Sequence, residues 1–239
     1  MIERVNITNY DDAIAIKPVY DKDPKTDITC TENVMVRDLI VHWSTGLAIG
    51  SVHPADSYGC IRNVTFRDSV LYNPFKAIYI KTNSGTTTSM LPGSGGEITN
   101  ITYENIDIYN PSWWGIYIGP QQQHEPNGKG DGCMLYPIKG ECETQPLIKV
   151  ADVTLRNIRQ YGTYLTPGIV RCNETAPCTG IVFDNVQSNG WWSKLGWGYI
   201  TENVEGTTTD SYPVPSFNSG GSFTKGDFTT SVIPKDFKS

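Results

Sequence analysis

Ala13-Ile14-Ala15-Ile16, Gly46-Leu47-Ala48-Ile49, Ala77-Ile78-Tyr79-Ile80, Gly115-Ile116-Tyr117-Ile118, Gly168-Ile169-Val170-Arg171 and Gly196-Trp197-Gly198-Tyr199 are one phrase written again and again. Each is a β-rich tetrapeptide opened by a small residue. A second phrase, of the form Asn-Val-Thr-Phe-x-Asx, lies upstream of most copies, over 4–9, 33–38, 63–68, 100–105, 152–157 and 180–185. From Asn33 to Asn63 is 30 residues, from Asn63 to Asn100 37, from Asn100 to Asp152 52, and from Asp152 to Gly180 28. Two strand phrases and fixed turns, returning at a period near 28–30 residues with insertions, predict a stacked solenoid. The fold class is therefore all-β, a parallel β-helix with coils of three short strands. One repeat running through most of the chain argues for a single solenoid over 1–205. A Thr-, Ser-, Pro- and Gly-rich tail at 206–239 is expected to extend over the last coil.

Alternation assigns faces within the tetrapeptides. The columns Ile14/Leu47/Ile78/Ile116/Ile169 and Ile16/Ile49/Ile80/Ile118 should stack as aliphatic ladders inside. The columns between them, Ala15/Ala48/Tyr79/Tyr117 and Lys17/Gly50/Lys81/Gly119, should point outward. Tyrosine rings suit sugar faces and ammonium groups suit carboxylates, so that strip reads as a floor for an anionic sugar polymer, or else as an ordinary solvated sheet face. Two insertions, Ser84 to Gly96 and Gln121 to Gln145, are expected on one edge of the stack. Trp113 and Trp114, and Trp191, Trp192 and Trp197, are candidate sugar platforms, the second group equally a cap for the solenoid end.

Only the first copy follows two adjacent acids, Asp11 and Asp12. Net charge is −6 and no basic patch is present, which argues against nucleic acid as a partner. No apolar run approaches the length of a membrane span. Six cysteines form an even set: Cys133 with Cys142 and Cys172 with Cys178 read as local disulfide staples, and Cys30 and Cys60 complete it. Neither C-x-x-C spacing nor neighbouring histidines favour a metal, and no cofactor is expected. Asn6, Asn63, Asn100 and Asn173 each open a glycosylation sequon, although the repeat phrase produces three of these by itself. Cysteines and sequons together point to a secreted protein. Met1 to Val5 reads as a strand rather than a signal segment, so earlier coils are expected upstream of it. An open solenoid end there would be a natural surface for self- or hetero-assembly.

The stretches Asn9-Tyr10-Asp11-Asp12-Ala13-Ile14-Ala15-Ile16-Lys17, Gly46-Leu47-Ala48-Ile49-Gly50-Ser51-Val52 and Ile80-Lys81-Thr82 resemble glycoside hydrolase family 28, the polygalacturonases and rhamnogalacturonases. The resemblance runs from about Val5 to Glu205 and implies a right-handed parallel β-helix that hydrolyses pectic polysaccharide with inversion. It implies that Asp11 is the general acid, that Asp12 helps hold the attacking water, and that Lys81 binds a uronate carboxylate. Tyr79, Tyr117, Lys17 and Trp114 join Lys81 as candidate substrate-binding residues. The family shares the base role with a third Asp, in an Asn-x-Asp motif one coil upstream, before this chain begins.

Two positions depart from the family. Ser44-Thr45-Gly46 stands where it has Gly-His-Gly, and Tyr79-Ile80-Lys81 where it has Arg-Ile-Lys, so Thr45 replaces a histidine and Tyr79 an arginine. His42, His53 and His124 are the histidines available, and each reads as a surface or packed residue. Asn-x-Asp-Asp is also good turn chemistry, able to cap a bend before a strand. Two readings follow: a secreted polygalacturonase-like hydrolase, or an inactive β-helix of the same ancestry that binds glycan or serves as a structural module.

Overall fold

The structure, a computed structural model, describes residues 1–19, 30–54, 58–84, 95–122, 133, 136, 141–163, 166–190 and 198–217. Its strands in chain order are β1 (Ile2–Thr8), β2 (Ile14–Ile16), β3 (Thr31–His42), β4 (Leu47–Val52), β5 (Gly59–Tyr72), β6 (Lys76–Thr82), β7 (Gly96–Tyr109), β8 (Trp114–Gln121), β9 (Ile148–Thr163), β10 (Gly168–Arg171), β11 (Cys178–Gly190), β12 (Ile200–Glu202) and β13 (Val204–Thr209). Odd-numbered strands form one parallel sheet and even-numbered strands the other, each in coil order. This is the expected parallel β-helix.

Each coil has more corners than the expected three short strands allow. Single residues with φ near +50 to +60° bend the long strands without breaking their ladders: Asn33 and Asp38, Asn63 and Asp68, Asn100 and Asn105, Asp152 and Asn157. A long strand is thus cut into three straight segments, and the short strand of the other sheet supplies a fourth side. Asn and Asp hold these corners because they tolerate the left-handed region better than other residues with a side chain. Their amides then stack. Asn105 Nδ2 donates to Asp68 Oδ1 at 2.9 Å, Asn157 to Asn105 at 3.0 Å and Asn185 to Asn157 at 2.9 Å. The sequon residues Asn63 and Asn100 belong to a parallel ladder, with Asn100 Nδ2 donating to Asn63 Oδ1 at 2.6 Å.

Between corners, inward side chains stack one coil on the next. Val36, Phe66, Tyr103, Leu155 and Phe183 form one buried column; Leu47, Ile78 and Ile116 form another. The small residue that opens the tetrapeptide has a steric cause. Gly46 has φ +90°, and a Cβ there would lie 2.2 Å from the Ala77 carbonyl oxygen.

Three copies sit in a different register from the one their phrases suggest. Glu3 and Val5 pair with Arg37 and Leu39, so Arg4 stands opposite Asp38 rather than Asn33. Gly168 pairs with Ile116 and Ile169 with Tyr117, which moves the fifth copy by one residue and puts Ile169 on the outer face. Ile200 pairs with Ile169, so the sixth strand starts beyond the Gly196 phrase, whose first two residues lie outside the described ones.

All six cysteines are paired: Cys30–Cys60, Cys133–Cys142 and Cys172–Cys178. The position at 206 where a tail was expected falls inside β13. Beyond it the chain turns back over the last coil, where Phe217 packs edge-on to Phe183 with ring centroids 5.1 Å apart. Residues 218–239 lie outside the described set. So do most of the two insertions, but their described flanks meet: Gln145 Nε2 donates to the Asn83 carbonyl at 2.9 Å.

Candidate active site

The bend before β2 carries Asp11 and Asp12, and backbone bonds sew it to the next coil. Thr45 N donates to the Asp11 carbonyl at 2.9 Å, and Ala13 N donates to the Gly46 carbonyl at 2.9 Å. Within the bend, Asn9 Nδ2 donates to the Asp12 carbonyl at 3.0 Å and Asp12 N donates to Asp11 Oδ1 at 2.7 Å. This is the turn chemistry expected of Asn-x-Asp-Asp, and it leaves the two carboxylates in unlike surroundings.

Asp12 is gripped through both oxygens. Thr45 Oγ1 donates to Oδ1 at 2.6 Å, and Lys81 Nζ, two coils along, donates to Oδ2 at 2.7 Å. The pair is largely out of water, with side-chain exposures of 10% for Asp12 and 3% for Lys81. Burial lowers the Lys81 pKa from that of free lysine, an effect opposed by the charge and hydrogen bond of Asp12. Tyr103, buried beneath and reaching the Leu47 carbonyl at 3.0 Å, has its pKa raised well above the usual phenol value by burial and then by Asp12. Asp11, by contrast, is exposed.

Asp11, Asp12, Thr45 and Lys81 are therefore brought together, and Tyr79 adjoins them. Its ring carries Lys81 Nζ 4.3 Å from the centroid and Lys76 Nζ 4.4 Å from it. Where an arginine was the family pattern, an aromatic ring stands within reach of two buried ammonium groups. Cations over the ring are favourable, but they occupy the face a sugar would need.

The expected floor of outward tyrosines is corrected. Tyr79 is 2% exposed, Tyr117 0% and Trp114 1%, because these outward side chains form a second core with Ala48, Ile169, Ile200 and the Cys133–Cys142 loop. No open ring face is left on any of them. Lys81 likewise spends its ammonium on Asp12 instead of presenting it to solvent. Lys17 is exposed. His42 stacks on Tyr72 at 5.1 Å between centroids in the other sheet, which makes it a packed histidine. His53 is half-buried, with its pKa lowered by that burial. His124, Trp191, Trp192 and Trp197 lie outside the described residues.

Sequence reasoning passed over three residues. Tyr10 and Trp43 are exposed aromatics adjoining the carboxylate bend and Thr45; Trp43 also holds a corner with φ +56°. Both were quoted or spanned without weight, since neither recurs in the phrase. Arg171 closed the fifth phrase and was given no role, whereas its register puts it one residue past Val170 and so in line with Lys81. Among the described residues, the group of His, Cys, Asp and Glu side chains close enough to hold a metal is Cys30, Cys60 and Glu97, and its two sulfurs are joined to each other.

The site is thus a parallel β-helix bend that carries two carboxylates, one of them, Asp12, clamped by a lysine two coils away. The family model described as glycosyl hydrolases family 28 matches residues 1–205, and the chain belongs to that family. A probable endopolygalacturonase D of Neosartorya fischeri is 28% identical over 172 residues, which is 72% of this chain and 32% of the relative. A polygalacturonase of Fusarium fujikuroi is 33% identical over 186 residues, 77% of this chain and 43% of the relative. The chain thus spans about a third of the first of these relatives and less than half of the second.

Proposed function

We propose that this chain forms part of a secreted, polygalacturonase-like glycoside hydrolase that cleaves uronate-containing polysaccharide with inversion. The observation that carries this reading is the clamped Asp12 beside an exposed Asp11. Inverting hydrolysis needs a carboxyl that protonates the glycosidic oxygen and a carboxylate that positions water on the opposite face, roughly 6.5–9.5 Å apart. Asp11, open to solvent, is the proton donor. As the C–O bond breaks, the leaving sugar takes its proton.

Asp12 orients the water, whose oxygen bonds to the anomeric carbon from the far side and inverts it. Thr45 and Lys81 fix the direction in which Asp12 faces, so the water is aimed before substrate arrives. In the family the water's proton is shared between this carboxylate and the Asp of an upstream Asn-x-Asp motif. Lys17, exposed just after β2, supports a uronate polymer as substrate. Three disulfides support an oxidising, extracellular location.

The test is reducing-end release from pectic polymers by the full-length protein, with the anomeric configuration of the new end followed by proton NMR. Wild type should release ends with inversion, and Asp11→Asn should lose at least about a hundredfold in rate while still binding polymer. Binding without cleavage, unchanged by Asp11→Asn, would instead mark an inactive glycan-binding β-helix. Absence of turnover on uronate- and rhamnose-containing polymers alike would overturn the reading.

A further inference from the structure

Reading the outer column in its true register gives Lys17, Gly50, Lys81, Gly119, Arg171 and Glu202, one per coil. Cations alternate with glycines. Strands stack about 4.8 Å apart, so Lys81 and Arg171 stand about 10 Å from one another along the solenoid axis. Gly119 between them can carry no side chain, for a Cβ there would lie 2.3 Å from the Arg171 carbonyl oxygen.

Beside Arg171 is a cavity of about 480 Å³, lined among others by Gln121, Tyr136, Glu141, Glu143, Thr144 and Arg171. That volume suits one or two sugar rings. Its outer wall is the segment 141–145, fixed at three points. The Cys133–Cys142 disulfide closes it, Gln121 N donates to the Glu143 carbonyl at 2.8 Å, and Asn173 Nδ2 donates to Thr144 Oγ1 at 3.2 Å.

The charge of this cavity is not what the cation column alone suggests. Arg171 Nε donates to Glu202 Oε2 at 2.5 Å, and its guanidinium lies 5.0 Å from the Tyr136 ring centroid. Its charge is already matched inside the protein. Glu141 and Glu143 are exposed on the wall and take part in no ion pair among the described residues. A free uronate carboxylate entering here meets two like charges and a cation already engaged. An uncharged ring meets amide, hydroxyl and carboxylate acceptors suited to sugar hydroxyls.

We propose that this cavity is a distal subsite that takes a sugar ring without a free carboxylate, either a neutral sugar or a methyl-esterified uronate, and disfavours a free uronate. The inference rests on the polysaccharide reading above and adds a pattern to it: a uronate chain held near Lys17 at the first coil, its free carboxylate refused two coils beyond Lys81. Exposed carboxylates act through water, so the expected preference is several-fold, about 3- to 10-fold, and falls with salt.

The experiment is calorimetric titration of full-length protein carrying Asp11→Asn with oligogalacturonates, either de-esterified or methyl-esterified. Oligomers should cover the four strand spacings, about 19 Å, from β2 to β10. The esterified oligomer should bind several-fold tighter. E141Q/E143Q, both changes at exposed positions, should erase the preference by strengthening the de-esterified oligomer. Equal affinities, or a preference that E141Q/E143Q leaves untouched, would overturn the subsite while sparing the hydrolase reading. If neither oligomer binds and wild type releases no reducing ends, both fall.

Discussion

At the residue scale, the site turns on how one ammonium is shared between burial and a carboxylate. Lys81 is almost wholly enclosed, and burial disfavours its charged form, so it gives up its proton at a lower pH than free lysine. Once neutral, it no longer balances Asp12, and the bend becomes more negative by one charge. Polyuronate binding should therefore fall as pH rises through the Lys81 midpoint, which lies below 10.5. The effect on stability has the opposite sign. Between the folded midpoint and the unfolded one, the unfolded chain holds the proton and the folded chain does not, so Lys81 makes the fold more stable as pH rises there. Loss of binding in that window would thus be a loss of the site and not of the fold. NMR titration of the Lys81 side chain, run beside polymer binding and thermal melts, separates the two; a midpoint at or above 10.5 would refute the argument. Thr45 supplies the other half of the grip. A hydroxyl can aim Asp12 but cannot exchange charge near neutral pH, so the position that holds a histidine in the family here serves orientation.

At the element scale, the corners are the weak points and the asparagine ladder is what secures them. Asn105 has φ +55°, donates to Asp68 and accepts from Asn157. Alanine there keeps the strained backbone and removes both bonds, and should cost about 2 kcal/mol, from about 1–2 for left-handed strain and about 1 for hydrogen bonding. Asn105→Gly relieves the strain and should recover about half of that. Denaturant midpoints for the two variants check it, and equal losses would mean that the ladder matters and the backbone does not. The same corners explain which parts of the fold the sequence made legible. Corner residues recur every five positions, as at Asn63, Asp68 and Asn73 or at Asn100, Asn105 and Asn110. A phrase that starts at a corner and ends at the next can slide by one corner and still match, which is how Arg4 was aligned with Asn33 instead of Asp38. Ladders of identical residue types report that strands stack, but not which corner is which. The carboxylate bend, Thr45 and Lys81 were found because the stretches that carry them resemble the motifs of one family, position by position. Arg171 was missed because a one-residue shift exchanges the inner and outer faces. The burial of Tyr79 and Tyr117 was not legible at all, since what covers them includes Tyr136 and a disulfide loop distant in sequence.

At the scale of the whole molecule, a solenoid draws its stability from contacts between adjacent coils, so a cross-link is worth most where it joins two of them. Cys30–Cys60 spans 30 residues and ties the approach to β3 to the start of β5, one coil to the next. Cys172–Cys178 spans 6 residues and only closes the turn from β10 to β11. By loop-closure entropy the first should contribute about 3.5 kcal/mol and the second about 2. Replacing each pair with serine should therefore lower the thermal midpoint in that order, and the change at Cys30 and Cys60 should also slacken the coils that hold Asp12 against Lys81. Cys133–Cys142 closes a short loop on the outer face, away from the inner ladders, and should cost less than the inter-coil bridge while blunting discrimination at the distal cavity. Calorimetric melts and polymer turnover on the three double-serine variants test this together. If the Cys172–Cys178 variant proved the least stable, closure of that turn would matter more to the stack than the covalent bond between its coils.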